Sequence, residues 1–300
     1  MKSPNFYTAS ALDRVGHRRR EPEWIAEQLN HPETRFVAVW RGQNLVVAGA
    51  EGPAALLLPP EAVALEGDPV LLGLQERRTY FALDLSHREQ PLEPLRVEAA
   101  AEFIDLRRVG PLLERDEGAI LAYARGILYW HSRHRFCAVC GSPTRSEEAG
   151  HVRRCTNPDC KAQHFPRTDP AVIMLVTDGE RALLGRQKVW PKGQHSTLAG
   201  FVEPGESLEQ AVAREVYEET GIVVADVTYH SSQPWPFPAS IMLGFTARAV
   251  TTDIKLAEDE LEGARWFERS YIKGHSDDEE FRLPRRDSIA RRLIEDWLGR

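Results

Sequence analysis

In the stretch GFVEPGESLEQAVAREVYEETGI, residues 200–222, four of the six glutamates (Glu206, Glu215, Glu218 and Glu219) accompany one arginine, Arg214. Ser207 with Gln210 makes a capping box, and Gly221 suits the position after a helix, so 207–220 is expected to be helical. At about 100° per residue, Leu208, Ala211, Val212 and Val216 form one apolar stripe, and Glu215 and Glu219 fall inside it. Glu218 lies at the edge of the stripe, four residues from Arg214. A carboxylate on a buried stripe is costly unless a cation meets it. An internal salt bridge or a fully exposed helix is the plain reading of such acids. Their place in the core stripe, after a Gly-Phe-x-x-x-Gly loop, points instead to a bound metal. Oxygen ligands from one helix suit Mg²⁺ or Mn²⁺, whose other positions go to water and phosphate oxygens.

The four cysteines all lie between 137 and 160, spaced C-x2-C, fourteen residues, C-x4-C. Two close pairs joined by a short hairpin can put thiolates from Cys137, Cys140, Cys155 and Cys160 at the corners of a tetrahedron around Zn²⁺. Gly141 follows the first pair, as a tight knuckle requires. Free thiols and disulfides are the alternatives. A closed four-thiolate site leaves no position for substrate, so its expected role is structural. A third stretch, SQPWPFPAS at 232–240, is held extended by three prolines and offers Trp235 and Phe237 as flat faces for a base. Prolines and aromatics that merely pin a hairpin would look similar.

The surrounding elements must hold these groups. FVAVWRGQNLVVAG (36–49) reads as a hairpin, and PVLLGLQ (69–75) and TYFALDL (79–85) as further strands. EGAILAYARGILYWHSRH (117–134) has helical apolar spacing and leads into the cysteines. PAVIMLVTDGERALLGR (170–186) reads as two strands around an Asp-Gly turn. VVADVTYHSS, SIMLGFTARAV and ARWFE follow as strands, and SIARRLIEDWLG as a last helix capped by Asp287 or Ser288. No internal repeat is visible. The 300 residues are 42% hydrophobic and 28% charged, with net charge −7. That balance argues against a general nucleic-acid coat or a membrane-surface protein. MKSPNFYTAS lacks the apolar run of a signal peptide, and AVIMLV at 171–176 is too short to span a bilayer. A cytoplasmic location with reduced thiols is the expectation.

The acidic stretch resembles the Nudix box, G-x5-E-x7-R-E-U-x-E-E-x-G-U with U aliphatic. Gly200, Glu206, Arg214, Glu215, Val216, Glu218, Glu219, Gly221 and Ile222 match without a departure. SQPWPFPAS, the zinc module with WHSRHRFCAVCGSPT, and FPRTDPAVI at 165–173 are similar to the NADH pyrophosphatase subfamily. The likeness covers 120–300 strongly, and the first domain only in size and character. It implies an α/β fold: a Nudix α/β/α sandwich preceded by a zinc ribbon and an N-terminal mixed α+β domain. The expected boundaries are 1–130 for a Nudix-like N-terminal domain, 131–165 for the ribbon and 166–300 for the hydrolase domain.

The resemblance also implies an activity: metal-dependent cleavage of the pyrophosphate of NADH or NAD⁺ to nicotinamide mononucleotide and AMP. Some relatives remove NAD caps from RNA by the same cleavage. ADP-ribose or dinucleoside polyphosphates are alternative substrates, and a silent nucleotide-sensing or nucleic-acid-binding module is the alternative from another class. By the same likeness Glu215, Glu219, Glu260 and the carbonyl of Ala199 would hold Mg²⁺ or Mn²⁺, with Glu262 competing for the role of Glu260. Glu218 would bind metal or position water, and Glu206 and Arg214 would brace loop against helix. Gln233, Pro234, Trp235, Pro236, Phe237, Pro238, Ala239 and Ser240 would line the nucleotide pocket. Phe201 would stack on the nicotinamide side, and Ala290 would touch substrate through its backbone. Phe165 stands where relatives have Tyr, so stacking is kept and a hydroxyl lost. A homodimer is expected on the same ground. For capped RNA, Arg133, Arg135, Arg153 and Arg154 around the zinc module are the candidate basic path.

Overall fold

The computed structural model describes residues 4–8, 11–49, 52–65, 67–97, 100–256, 261–275 and 277–299. It divides into two units, one of Tyr7–Thr168 with Trp235–Ala239, the other of Met1–Phe6, Asp169–Pro234 and Ser240–Arg300. The zinc module therefore belongs with the N-terminal unit.

The first unit opens with helix α1 (Pro22–Leu29) and a hairpin of β1 (Arg35–Trp40) and β2 (Gln43–Gly49). The hairpin turns on Arg41 and Gly42, both at positive φ, as a two-residue turn between right-twisted strands demands. β3 (Gly52–Ala55), β4 (Val70–Gln75), β5 (Arg78–Asp84) and β6 (Ala101–Ile104) complete a sheet of order β3-β2-β1-β5-β4, with β6 on β2. A short α2 (Leu106–Val109) leads to α3 (Arg115–Arg133), which packs on β1, β4 and β5. Phe36, Leu45, Leu71 and Phe81 form the centre of this core. The ribbon follows as β7 (Thr144–Glu147), β8 (Val152–Cys155) and β9 (Gln163–His164), an antiparallel sheet of order β7-β8-β9.

The second unit has strands β10 (Asp169–Thr177), β11 (Arg181–Arg186), β12 (Leu198–Phe201), β13 (Val224–Trp235), β14 (Ser240–Ala249) and β15 (Gly263–Glu268). Its order is β13-β14-β10-β11-β15, with β12 paired to β10. Helix α4 (Leu208–Thr220) lies between β12 and β13, and α5 (Arg269–Gly274) and α6 (Ile289–Leu298) follow β15. Successive side chains of a strand point to opposite faces. On β10, Val172, Met174 and Val176 accordingly join Ala211, Val212 and Val216 of α4, while Ile173 and Leu175 join Leu293 and Ile294 of α6. That is the α/β/α sandwich the sequence led us to expect.

The two sheets repeat one topology. In each, the first strand of a hairpin also pairs in parallel with a later strand: β1 with β5, and β10 with β14. The series β4-β5-β1-β2-β6 matches β13-β14-β10-β11-β15 strand for strand. The absence of a sequence repeat thus conceals a repeated fold, because pattern survives where residue identity does not. Among the described residues, the first copy has no counterpart of α4 between β2 and β4.

Candidate active site and zinc site

Helix α4 begins as its residues dictate. Ser207 Oγ accepts from Gln210 N, and the Gln210 side chain accepts from Ser207 N at 2.8 Å. Gly221 ends the helix at φ 69°, a left-handed conformation that favours glycine. Of the acids in the stripe, Glu219 is only 7% exposed and Glu215 is mostly buried, while Glu218 stands half in solvent.

Arg214 ties this helix to the loop before it. Its Nε and Nη2 donate to both oxygens of Glu206 (3.0 and 2.7 Å), and Nη2 also donates to the carbonyl of Phe201 (2.9 Å). Nη1 donates to Glu215 Oε1 and Glu218 Oε2, each at 2.9 Å. Glu206 in turn accepts from the backbone N–H of Glu203 at 2.8 Å. The Glu206 carboxylate is held below its ordinary pKa, first by the Arg214 hydrogen bonds, and Arg214 is raised above its own, first by Glu206. Both stay charged, which fixes Glu215 beside β12.

The fit of a divalent cation rests on that placement. The Glu215 carboxylate lies against Gly200 so closely that a Cβ on residue 200 would meet it at 1.8–2.1 Å. Glu219, one turn on, is buried on the same stripe. Ala199, whose carbonyl was expected to join them, is the residue before Gly200 on β12. Hard oxygen donors of this kind suit Mg²⁺ or Mn²⁺. Glu260 lies outside the described residues. Its competitor Glu262 is engaged elsewhere, its Oε2 2.6 Å from Arg186 Nε.

The expected wall of the nucleotide pocket divides into supports and faces. Gln233, expected on that wall, is fully buried, and its amide has other partners. Its Nε2 donates to the carbonyls of Asp287 (2.7 Å) and Phe6 (3.2 Å), and its Oε1 accepts from Ile289 N (2.8 Å). Gln233 thus fastens the end of β13 to the start of α6. Ala290, expected to touch substrate by its backbone, donates its N–H to Ser288 Oγ at 3.2 Å and is buried in the α6 core. Ser288 is the cap of α6, and Ser240 is buried at the start of β14.

Trp235 and Phe237 are half-buried and meet edge to face, centroids 5.0 Å apart. Pro236 is buried with Cβ facing Gly126, while Pro238 is exposed and Pro234 and Ala239 are half-buried. Sequence reasoning missed the residues that hold this loop. Tyr7 packs edge-on against both rings at 6.2 Å. Arg125 donates from Nε to the carbonyl of Pro236 at 2.8 Å, and its guanidinium sits 5.0 Å from the centre of the Phe237 ring. Phe237 is therefore partly covered by a cation. Only the apolar character of α3 was legible, not which of its polar residues would turn to the loop. Phe201 and Phe165 each remain well exposed in their own units, at 61% and 56%.

The four cysteine sulfurs lie within 4.8 Å of one another. Cys137 and Cys160 are 3.8 Å apart and Cys140 and Cys155 3.4 Å apart, near the roughly 3.8 Å edge of a tetrahedron with 2.3 Å zinc–sulfur bonds. Val139 N at 3.4 Å and His164 Nε2 at 3.3 Å approach Cys137 Sγ, the kind of outer contact that steadies a ligand. Four thiolates in this arrangement fit zinc and close its coordination.

Of the four arginines around the module, two are engaged internally. Arg153 donates to Thr144 Oγ1 (2.7 Å) and Thr144 O (2.8 Å) and meets His131 Nδ1 at 3.1 Å, and Arg154 pairs with Glu147 at 2.6 Å. Arg133 and Arg135 are exposed.

Three family descriptions match in series. They are an NADH pyrophosphatase-like rudimentary NUDIX domain over 33–130, an NADH pyrophosphatase zinc ribbon domain over 132–165, and a NUDIX domain over 167–287. Along its whole length the chain is 42% identical to the NAD-capped RNA hydrolase NudC of Mycobacterium bovis, of which it covers 96%. The chain belongs to the Nudix hydrolase family. Human NAD-capped RNA hydrolase NUDT12 is 34% identical over 98% of this chain and 73% of its own length. A crystal structure of a NUDIX hydrolase from Nitrosomonas europaea is 25% identical, covering 45% of this chain and 78% of its own, with a TM-score of 0.39. The first copy of the repeated topology thus coincides with the rudimentary NUDIX domain match over 33–130. Among the described residues of this hydrolase, no helix is long and apolar enough to cross a membrane.

Proposed function

We propose that this Nudix hydrolase cleaves the pyrophosphate of NADH and NAD⁺, giving the nicotinamide mononucleotide and AMP, and removes NAD caps from RNA by the same cleavage. The observation that carries the reading is the pair Glu215 and Glu219 on one face of α4. One presses into a gap that only glycine leaves, and the other is buried one turn on, two acids aligned on the stripe that faces the core. The whole-length relatives named as NAD-capped RNA hydrolases support the substrate class.

Divalent cations, Mg²⁺ or Mn²⁺, would neutralise the diphosphate and lower the pKa of a water. Glu215, Glu219, Glu260 and the carbonyl of Ala199 would hold them. The water's oxygen forms a bond to phosphorus as the P–O–P bridge breaks, and the water's proton passes to solvent or to an acid of α4. Glu218, hydrogen-bonded to Arg214, stands ready to position that water. The Arg214–Glu206 brace keeps the carboxylates in place without reorganisation, which is where preorganised sites gain rate. Phe201 would stack on the nicotinamide side of the dinucleotide.

The module boundaries 1–130, 131–165 and 166–300, a homodimeric assembly and a cytoplasmic location complete the reading. The family ranges support the boundaries, and paired cysteines that fit zinc support a reducing compartment. The test compares NADH, NAD⁺, ADP-ribose and NAD-capped RNA side by side, for wild type and Glu219→Gln. Mononucleotide products from the first two and from the cap, lost in the variant, are expected. Equal kcat/KM for NADH and ADP-ribose would defeat the substrate assignment, and near-normal turnover of the variant would defeat the site.

A further inference from the structure

The ribbon carries a surface that zinc alone does not explain. Phe136 is 63% exposed and Val139 74% exposed, two large apolar side chains within four residues. They flank Cys137 on a knuckle whose backbone is fixed by Cys137 N to Ser142 O (2.7 Å) and Gly141 N to Cys137 O (2.9 Å). Phe136 is also bridged to Pro143. Such a platform is rigid before any ligand arrives, so little ordering entropy opposes binding. Beside it, Arg133 and Arg135 are exposed, and their side chains make no hydrogen bond or ion pair among the described residues, unlike those of Arg145, Arg153 and Arg154. Lys161, also exposed, follows Cys160, whose sulfur lies 3.8 Å from that of Cys137. Of the ribbon's carboxylates, Glu147 and Glu148 are held in ion pairs, and Asp159 is exposed.

We propose that this knuckle binds single-stranded RNA: Phe136 stacks on a base, Val139 borders it, and Arg133 and Arg135 hold adjacent phosphates. The site would take the body of a capped transcript, which rests on the reading of capped RNA as a substrate. A ring with cations alongside is what sequence-tolerant single-strand binding uses. Two apolar side chains fall far short of the roughly 800 Å² per partner of a stable protein interface, which argues against a second copy of the chain as occupant.

The test uses the zinc-loaded full chain and a fluorescent short single-stranded oligoribonucleotide, read by anisotropy. Phe136→Ala should weaken binding about tenfold and Phe136→Tyr should restore it. Arg133→Gln with Arg135→Gln should flatten the log–log salt dependence by about 1.4. In parallel, KM for NAD-capped RNA should rise about tenfold in Phe136→Ala while NADH hydrolysis and zinc content stay unchanged. Unaltered oligonucleotide affinity in the variants overturns the proposal. So does an equal loss on NADH, or a change of mass by light scattering in Phe136→Ala, which would mark the patch as an interface between copies. If wild type binds the oligonucleotide but leaves capped RNA intact, the substrate reading fails and the binding site stands. If wild type cleaves capped RNA and the variants bind as well as it does, only this inference fails.

Discussion

The carboxylate of Glu215 occupies the space a side chain on Gly200 would fill: a Cβ there would lie 1.8 Å from Glu215 Cδ. The colliding atoms are the far end of a flexible side chain, so Gly200→Ala should fold. The glutamate must then swing away from the place where it would hold metal. A misplacement of about 1 Å at such a centre costs about 100-fold in rate. We expect kcat for NADH to fall at least about 100-fold with little change in Tm. Retained turnover in a folded Gly200→Ala would show that Glu215 does not act from this position.

The chain should carry one zinc, measured by elemental analysis, because its four sulfurs already lie within 4.8 Å of one another. Chelation should unfold the ribbon, since metal binding energy is folding energy there. Cys137→Ser should lose zinc and stability together. His164→Ala, which removes the 3.3 Å contact to Cys137 Sγ, should keep zinc and weaken its affinity roughly 10–100-fold. Zinc retained unchanged in Cys137→Ser would overturn the ligand set.

His151 makes the N-terminal unit sensitive to acid. Its Nε2 meets the carbonyl of Leu71 at 2.7 Å, and Gly150 beside it closes on Val70, so the ribbon hairpin docks on β4 through this pair. Burial pushes the imidazole down to about 4, outweighing the hydrogen bond that favours its protonation. In the unfolded chain a histidine titrates near about 6.5. Above that pH both states are neutral and the residue adds no pH dependence. Between about 6.5 and 4 the unfolded state takes up a proton that the folded state refuses, so stability falls with pH by about 3 kcal/mol in all. Denaturant unfolding across this window should show that loss, and His151→Gln should remove most of it. An equally steep decline in the variant would assign the effect to other groups.

What the sequence disclosed followed from local rules. The box helix, its cap and its end were legible because Ser207, Gln210 and Gly221 act on their own neighbours. The β1–β2 hairpin was legible for the same reason. The duplicated topology was not, because strand order is set by contacts distant in sequence and Phe36 or Met174 can face a core in either copy. β12 read as loop: four residues with two small side chains carry little pattern, and their pairing with β10 is a tertiary fact. The bonds of Gln233 to α6 were hidden for a related reason. A polar residue beside prolines and aromatics looks like a pocket wall until the N-terminus of α6 is seen to need its amide.

Arg125 offers the last prediction, because it holds the aromatic loop by backbone and ring at once. Its Nε bond to Pro236 O fixes the peptide, and its guanidinium lies over Phe237. Asp105, at 3.9 Å from Nη1, compensates the charge, while burial still lowers the pKa of Arg125. A lysine keeps the charge but lacks the planar fork and presents a compact ammonium, so Arg125→Lys should lose the Pro236 bond and the flat contact. A hydrogen bond to a charged group contributes about 1.5–3 kcal/mol, and part of that would appear as disorder of Trp235. If the loop binds one ring of the dinucleotide equally in ground and transition states, KM for NADH should rise roughly tenfold with kcat unchanged. The same variant should act on ADP-ribose nearly as wild type does if Trp235 meets the nicotinamide end, and should lose both substrates alike if it meets the adenine they share. A fall in kcat without change in KM would instead place Arg125 in the chemistry, and an unchanged KM for both substrates would remove the loop from substrate recognition.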